Sequence, residues 1–89
     1  MGKNEVFIGN KPFMNYVTSV VMQFNTGSKE VAIKARGKYI SKAVDVAEVA
    51  RNRFLQDVLL KKVDISSEEF KEESKTVRVS SIEVVLAKK

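Results

Sequence analysis

Apolar residues recur along the chain at two different intervals. Phe13, Val17, Val20, Val21 and Phe24 come three or four residues apart, the spacing that gathers side chains on one helical face. Pro12 suits the first position of a helix, and Gly27, after Asn25-Thr26, suits a left-handed stop, so a helix is predicted over residues 12–26. A second stripe runs through Ala43, Val44, Ala47, Ala50, Arg51 and Phe54, with Ser41 as its expected N-cap. Its small residues Ala43, Ala47 and Ala50 let that helix sit close to a sheet. Elsewhere the pattern is that of strands. Glu5–Ile8 is a short β-prone run halted by Gly9-Asn10, and Val31–Ile33 is another that leads into Lys34–Lys38. Leu59–Ile65 reads as a third strand, with Val63 and Ile65 on one face. Val77–Leu86 reads as the longest, with Ile82, Val84 and Leu86 alternating towards the core. The polar stretch Ser66–Lys75 separates these two. Phe7, Phe13, Val20 and Phe24 are expected core residues, and Tyr39 is expected to be structural.

The resulting order is β-α-β-α-β-β, an α+β sandwich in which two helices cover one face of a four-stranded mixed sheet. No repeat or linker interrupts it, so one domain over residues 1–89 is expected. Such an arrangement leaves the other face or an edge partly bare, and pairing with a second copy is the economical cover. A chain of this mass buries roughly 60–65% of its unfolded surface, a thin core that a partner subunit would reinforce.

Composition narrows the chemistry. The chain has no cysteine and no histidine, which removes disulfides, thiolate metal sites, the commonest general base and the commonest zinc ligand. No pair of acids sits in an evident pocket motif, so an enzyme is not expected, nor a cofactor or metal. No apolar run approaches the ~20 residues of a membrane span, and the N-terminal region lacks the apolar core of a secretory signal. Met1-Gly2 opens like a myristoylation pattern, but Val6 stands where serine or threonine is required. A soluble cytoplasmic protein without membrane partners is the expectation.

Charge changes the picture more. The net charge is +5, and it is unevenly placed. Residues 1–62 carry 11 Lys/Arg against 5 Asp/Glu, or +6, whereas residues 63–89 carry 5 against 6, or −1. Lys11 precedes the first predicted helix, while Arg36, Lys38 and Lys42 surround the start of the second. A helix entrance has free N–H groups and the positive end of the macrodipole, so cations there add to an existing anion site. Gly37 leaves room for a phosphate to approach the backbone. Arg36 can fork onto two phosphate oxygens where a lysine acts as a point charge. Solvated loop charges around a turn glycine would give the same pattern.

Gly9-Asn10-Lys11-Pro12-Phe13-Met14-Asn15-Tyr16-Val17, Lys34-Ala35-Arg36-Gly37 and Arg51-Asn52-Arg53-Phe54-Leu55, in this order and spacing, closely resemble the Alba family of archaeal chromatin proteins. The likeness runs from Val6 to about Leu59 and again over Arg78–Glu83. It implies a homodimer whose paired faces lie on double-stranded DNA, with extended β-hairpin arms reaching along the minor groove. It also implies little sequence preference, RNA binding in several members, DNA condensation and association with the chromosome. Lys11, Arg36 and Lys38 match backbone-contacting positions, and Arg78 a basic residue at the base of the arm. Asn52, Arg53 and Phe54 fall where family dimers meet along DNA. Family members are regulated by acetylation of a lysine before the helix-starting proline. Lys11 is the only lysine here that fits, with an acetylase and a deacetylase as the implied partners.

Two departures qualify that likeness. Many members have two lysines before the proline, where this chain has Asn10-Lys11. The arm from Asp64 to Glu73 holds Asp64, Glu68, Glu69, Glu72 and Glu73 against Lys71, a local charge of −4. Phosphates repel such a tip, which predicts a contact dominated by the body of the protein. The alternative is a protein-interaction or regulatory module that kept the fold and has weak or lost nucleic-acid binding.

Overall fold

A computed structural model describes residues 4–89 of the chain. The Met1-Gly2 start discussed above lies outside the described residues. The elements are β1 (Asn4–Phe7), α1 (Phe13–Asn25), β2 (Glu30–Arg36), α2 (Ile40–Val49), β3 (Val58–Glu72) and β4 (Lys75–Lys88). The sheet order is β1-β2-β4-β3. β1 runs parallel to β2, while β2–β4 and β4–β3 are antiparallel, so the sheet is mixed as the sequence predicts.

Both helices lie on one face. Val6, Ile33, Ala35, Ile82, Val84 and Leu86 meet Val17, Val20, Phe24, Val46 and Ala47 in a core that contains no buried charged residue among the described ones. Phe24 and Val20 are fully buried, and Phe13 packs at the margin. Fully burying a side chain of phenylalanine size contributes about 1.5–3 kcal/mol. Gly27 closes α1 with φ +108°. Its N–H donates to Phe24 O at 3.2 Å and that of Ser28 to Gln23 O at 3.0 Å, the paired bonds of a Schellman cap.

The structure corrects four expectations. Ser41 does not cap the second helix. Gly37, at φ +58°, turns the chain into a single 3₁₀ turn over Gly37–Tyr39, so α2 starts at Ile40 and Ser41 lies in its first turn. Phe7 is not in the core but 67% exposed, because Val6 in β1 and Ile8 just after it take the helix-facing side. Val44 and Phe54, placed on the buried stripe of the second helix, are exposed, and Val46 is buried instead. Finally, Ser66–Lys75 is not a separate polar connection but part of the extended hairpin arm that the family likeness implies. β3 and β4 pair without a break from Ser66↔Ser81 to Glu72↔Lys75, and only Glu73-Ser74 turn the corner. Beyond the last residue of β2 this hairpin projects by about 20 Å, given a rise of about 3.3 Å per residue.

Candidate nucleic-acid interface

β1 and β2 are parallel, so the turns that follow them emerge at the same end of the sheet, and the hairpin arm leaves from that end too. The turn over Gly9–Pro12 carries Lys11, and the turn over Gly37–Tyr39 carries Arg36 and Lys38 at its edge and centre. All three cationic side chains are exposed. Topology therefore puts Lys11 at the same end as Arg36 and Lys38, which follow it by 25 and 27 residues in sequence.

The first turn is clamped by two side chains. The Tyr16 hydroxyl accepts from the N–H of Gly9 at 2.9 Å and of Lys11 at 3.1 Å. The Lys42 ammonium donates to the carbonyls of Gly9 at 2.8 Å and Lys11 at 2.6 Å. It also stands 5.1 Å from the centroid of the Tyr16 ring and 5.9 Å from that of Tyr39, within cation–π range. Lys42 is thus placed differently from the outward phosphate contact the sequence suggested. Two of its donors hold the loop, and its charge reinforces the anion-attracting field from beneath. Lys38 Nζ lies 5.4 Å from the same Tyr39 ring centroid. Replacing Lys42 with methionine keeps the stem and strips charged donors from two carbonyls. The expected outcome is a loss of about 2 kcal/mol in urea denaturation, the scale of hydrogen bonds from a charged donor. An unchanged midpoint would show that the clamp carries no stability.

The second turn depends on Gly37. Its left-handed φ disfavours any residue with a side chain, although nothing stands within 4 Å of where a Cβ would be. The open space above Gly37 leaves its backbone accessible. Arg36 at the end of β2 is exposed, and its guanidinium donates to Glu68 of the arm at 3.4 Å. Arg78 pairs with Glu69 across the hairpin. The register places Arg36 and Glu68 on the helix-free face and Arg78 and Glu69 on the helix side. Both pairs are more than half exposed, a class of ion pair worth only about 0–1 kcal/mol, so an incoming phosphate can displace them. Lys34 was not singled out from sequence. It is held by Glu5 at 2.7 Å and Glu83 at 3.9 Å, and the hydrogen bond to Glu5 raises its pKa above the ordinary lysine range.

The last turn of the second helical segment, Ala50–Phe54, is widened to a π turn in which Leu55 N–H donates to Ala50 O at 2.9 Å. Leu55 is buried, which leaves Asn52, Arg53 and Phe54 on the surface. Asn52 donates to Glu48 at 3.5 Å. Arg51 donates to the same carboxylate at 2.8 Å and holds the Glu48 pKa below the usual carboxylate range. No cluster of metal-ligating side chains occurs among the described residues, and no helix among them is long and apolar enough to cross a membrane.

Three features define the molecule: a mixed sheet with helices on one face, basic strand–helix turns at one end, and a protruding hairpin at that same end. This is the architecture of a small α+β protein with one cationic end. The Alba family profile matches residues 4–67. Over 89 residues, all of both chains, the sequence is 58% identical to the DNA/RNA-binding protein Alba 1 of Archaeoglobus fulgidus. It is 59% identical over 83 residues to the DNA/RNA-binding protein Alba of Methanothrix thermoacetophila, covering 93% of each chain. The structure of Alba from Thermoplasma volcanium superposes with a TM-score of 0.87 at 47% identity, over 96% of this chain and all of that one. The chain belongs to the Alba family.

Proposed function

We propose that this chain binds nucleic acid as a dimer, through phosphate contacts and with little sequence preference. The observation that carries the reading is the convergence of Lys11, Arg36 and Lys38 on one end of the sheet, at two helix entrances where the helix macrodipole also favours anions. Relatives whose names describe DNA/RNA binding at 58% and 59% identity support it. Gly37 lets a phosphate approach the backbone, and Arg78 extends the contact along the arm. Lys42 acts from behind the first turn. The reading is of a binder rather than a catalyst, acting on the chromosome by coating and compacting double-stranded DNA and able to hold RNA.

Pairing follows from β3. It is an edge strand, and on its helix side Leu60, Val63 and Ile65 expose 42%, 47% and 79% of their surface. An apolar stripe on an unpaired edge is unfavourable in water, and self-complementary twofold pairing would cover it. The exposed Asn52, Arg53 and Phe54 then supply a separate patch for contact between dimers along DNA. Lys11, exposed in its turn, is the residue at which acetylation would remove a charge from the binding end. One observation favours a second reading, a protein-interaction module: Glu68 and Glu69 already occupy Arg36 and Arg78.

Affinity measured at low salt for several unrelated duplexes and an RNA hairpin tests the proposal. Phosphate contacts position without reading bases, so affinities for the duplexes should agree within a few-fold. A strong preference for one duplex would contradict the phosphate mechanism, and no binding to any of them would leave the interaction module.

A further inference from the structure

The exposed Phe7 is unexplained by the fold and by the phosphate contacts. It lies on the helix-free face beside a groove of about 480 Å³ that crosses all four strands at the cationic end. We propose that this groove seats a single unpaired nucleobase, stacked on Phe7, while its phosphate rests on Arg36. The inference builds on the nucleic-acid reading above and adds a preference that reading lacks.

The lining argues for a base rather than a phosphate or an apolar ligand. Phe7 offers a ring 67% exposed, with Lys34 Nζ 5.8 Å from its centroid. Beyond Lys34 and Glu83, which lie between in the same row of the sheet, stand Asp64, Ser66 and Glu68 of β3 and Ser81 of β4, with the hydroxyls of Ser66 and Ser81 2.8 Å apart. Asp64 is paired with Lys62 at 3.2 Å and Glu68 with Arg36 at 3.4 Å, but each carboxylate keeps further lone pairs, so this wall of acceptors favours N–H donors such as the exocyclic amine of cytosine over phosphate oxygens. Arg36 also borders the groove. A sugar–phosphate chain drawn to the helix entrance thus keeps its phosphate on the guanidinium and can turn one base inwards. Bases stacked in an intact duplex cannot make that turn, whereas those of a single strand, bulge or loop can. Stacking one base on an aromatic ring typically changes affinity by about tenfold.

The test compares short oligocytidylate, short oligouridylate and a blunt duplex, with both ribose and deoxyribose strands. The two pyrimidines match in ring size and differ where the carboxylate wall would read them. The unmodified protein should bind oligocytidylate about fivefold more tightly than oligouridylate. Phe7→Ser should lose about tenfold on oligocytidylate and leave the duplex unchanged, and the duplex result also shows that the variant is folded. Unchanged oligocytidylate affinity, or equal loss on strand and duplex, would overturn the base seat. Failure of the unmodified protein to bind the blunt duplex at low salt is a different result, and it would overturn the phosphate reading on which this one stands.

Discussion

Val63→Asp is expected to yield a monomer that has lost a hundredfold or more in duplex affinity, by the rough scale on which two linked sites outbind one. Val63 is 47% exposed on an edge strand, in line with Leu60 and Ile65, so the substitution leaves the core under the helices intact. In the proposed dimer it would bury a charge in an apolar seam from each subunit, a penalty of several kcal/mol that no partner offsets. Each monomer would keep Lys11, Arg36 and Lys38 but present only half of the cationic platform. Light scattering at several concentrations gives the mass, and a titration on the same sample gives the affinity. A dimer that persists, or a monomer that binds as tightly as the unmodified protein, would show that the β3 stripe is not the pairing surface.

The second large effect is a pair of opposite signs at one contact. Arg36→Ala removes a forked donor at the mouth of α2 and should weaken every duplex alike, by about tenfold or more for a dimer that uses it twice. Glu68→Gln with Glu69→Gln should tighten binding instead, because both arginines lose an internal competitor that is worth up to about 1 kcal/mol per pair. Net charge alone would also tighten binding. The comparison is therefore Glu72→Gln with Glu73→Gln, which makes the same change in charge at the tip of the arm. Equal gains for the two double variants would mean that the carboxylates act through the general field and not through the arginines. A loss of affinity for one sequence only in Arg36→Ala would mean that this residue reads bases.

What could be read from sequence divides along burial. The α1 face was legible because one side of that helix is pressed against the core, and Ile82, Val84 and Leu86 do face inwards, although Val85 and Ala87 on the other side of β4 are buried as well. The residue pattern alone did not reveal the arm as strand, because neither of its faces is buried and its polar residues show no alternation to detect; the likeness to the Alba family is what implied it. Phe7 was misplaced for a related reason: an aromatic residue in a strand suggests a covered face, and this sheet has helices on one side only. Ser41 has the chemistry of a cap, but the backbone turn that Gly37 permits starts the helix before it. The cationic residues themselves were visible as charges beside helix starts. Their partners were not. Lys42 bonds carbonyls more than 30 residues away, and the pairing of Arg36 with Glu68 and of Arg78 with Glu69 depends on a strand register that sequence does not provide. Tyr16 and its two backbone donors left no signal beyond an aromatic residue four positions after a proline.

The most direct measurement is the salt dependence of duplex binding. Lys11, Arg36 and Lys38, with Arg78 in reach, would let a dimer neutralise roughly six to eight phosphates, giving a log–log slope of about −5 to −7 and a loss of roughly 10³–10⁴ in affinity between 50 and 200 mM salt. A slope near zero would contradict a cationic platform built from two helix entrances, whatever the likeness to its relatives.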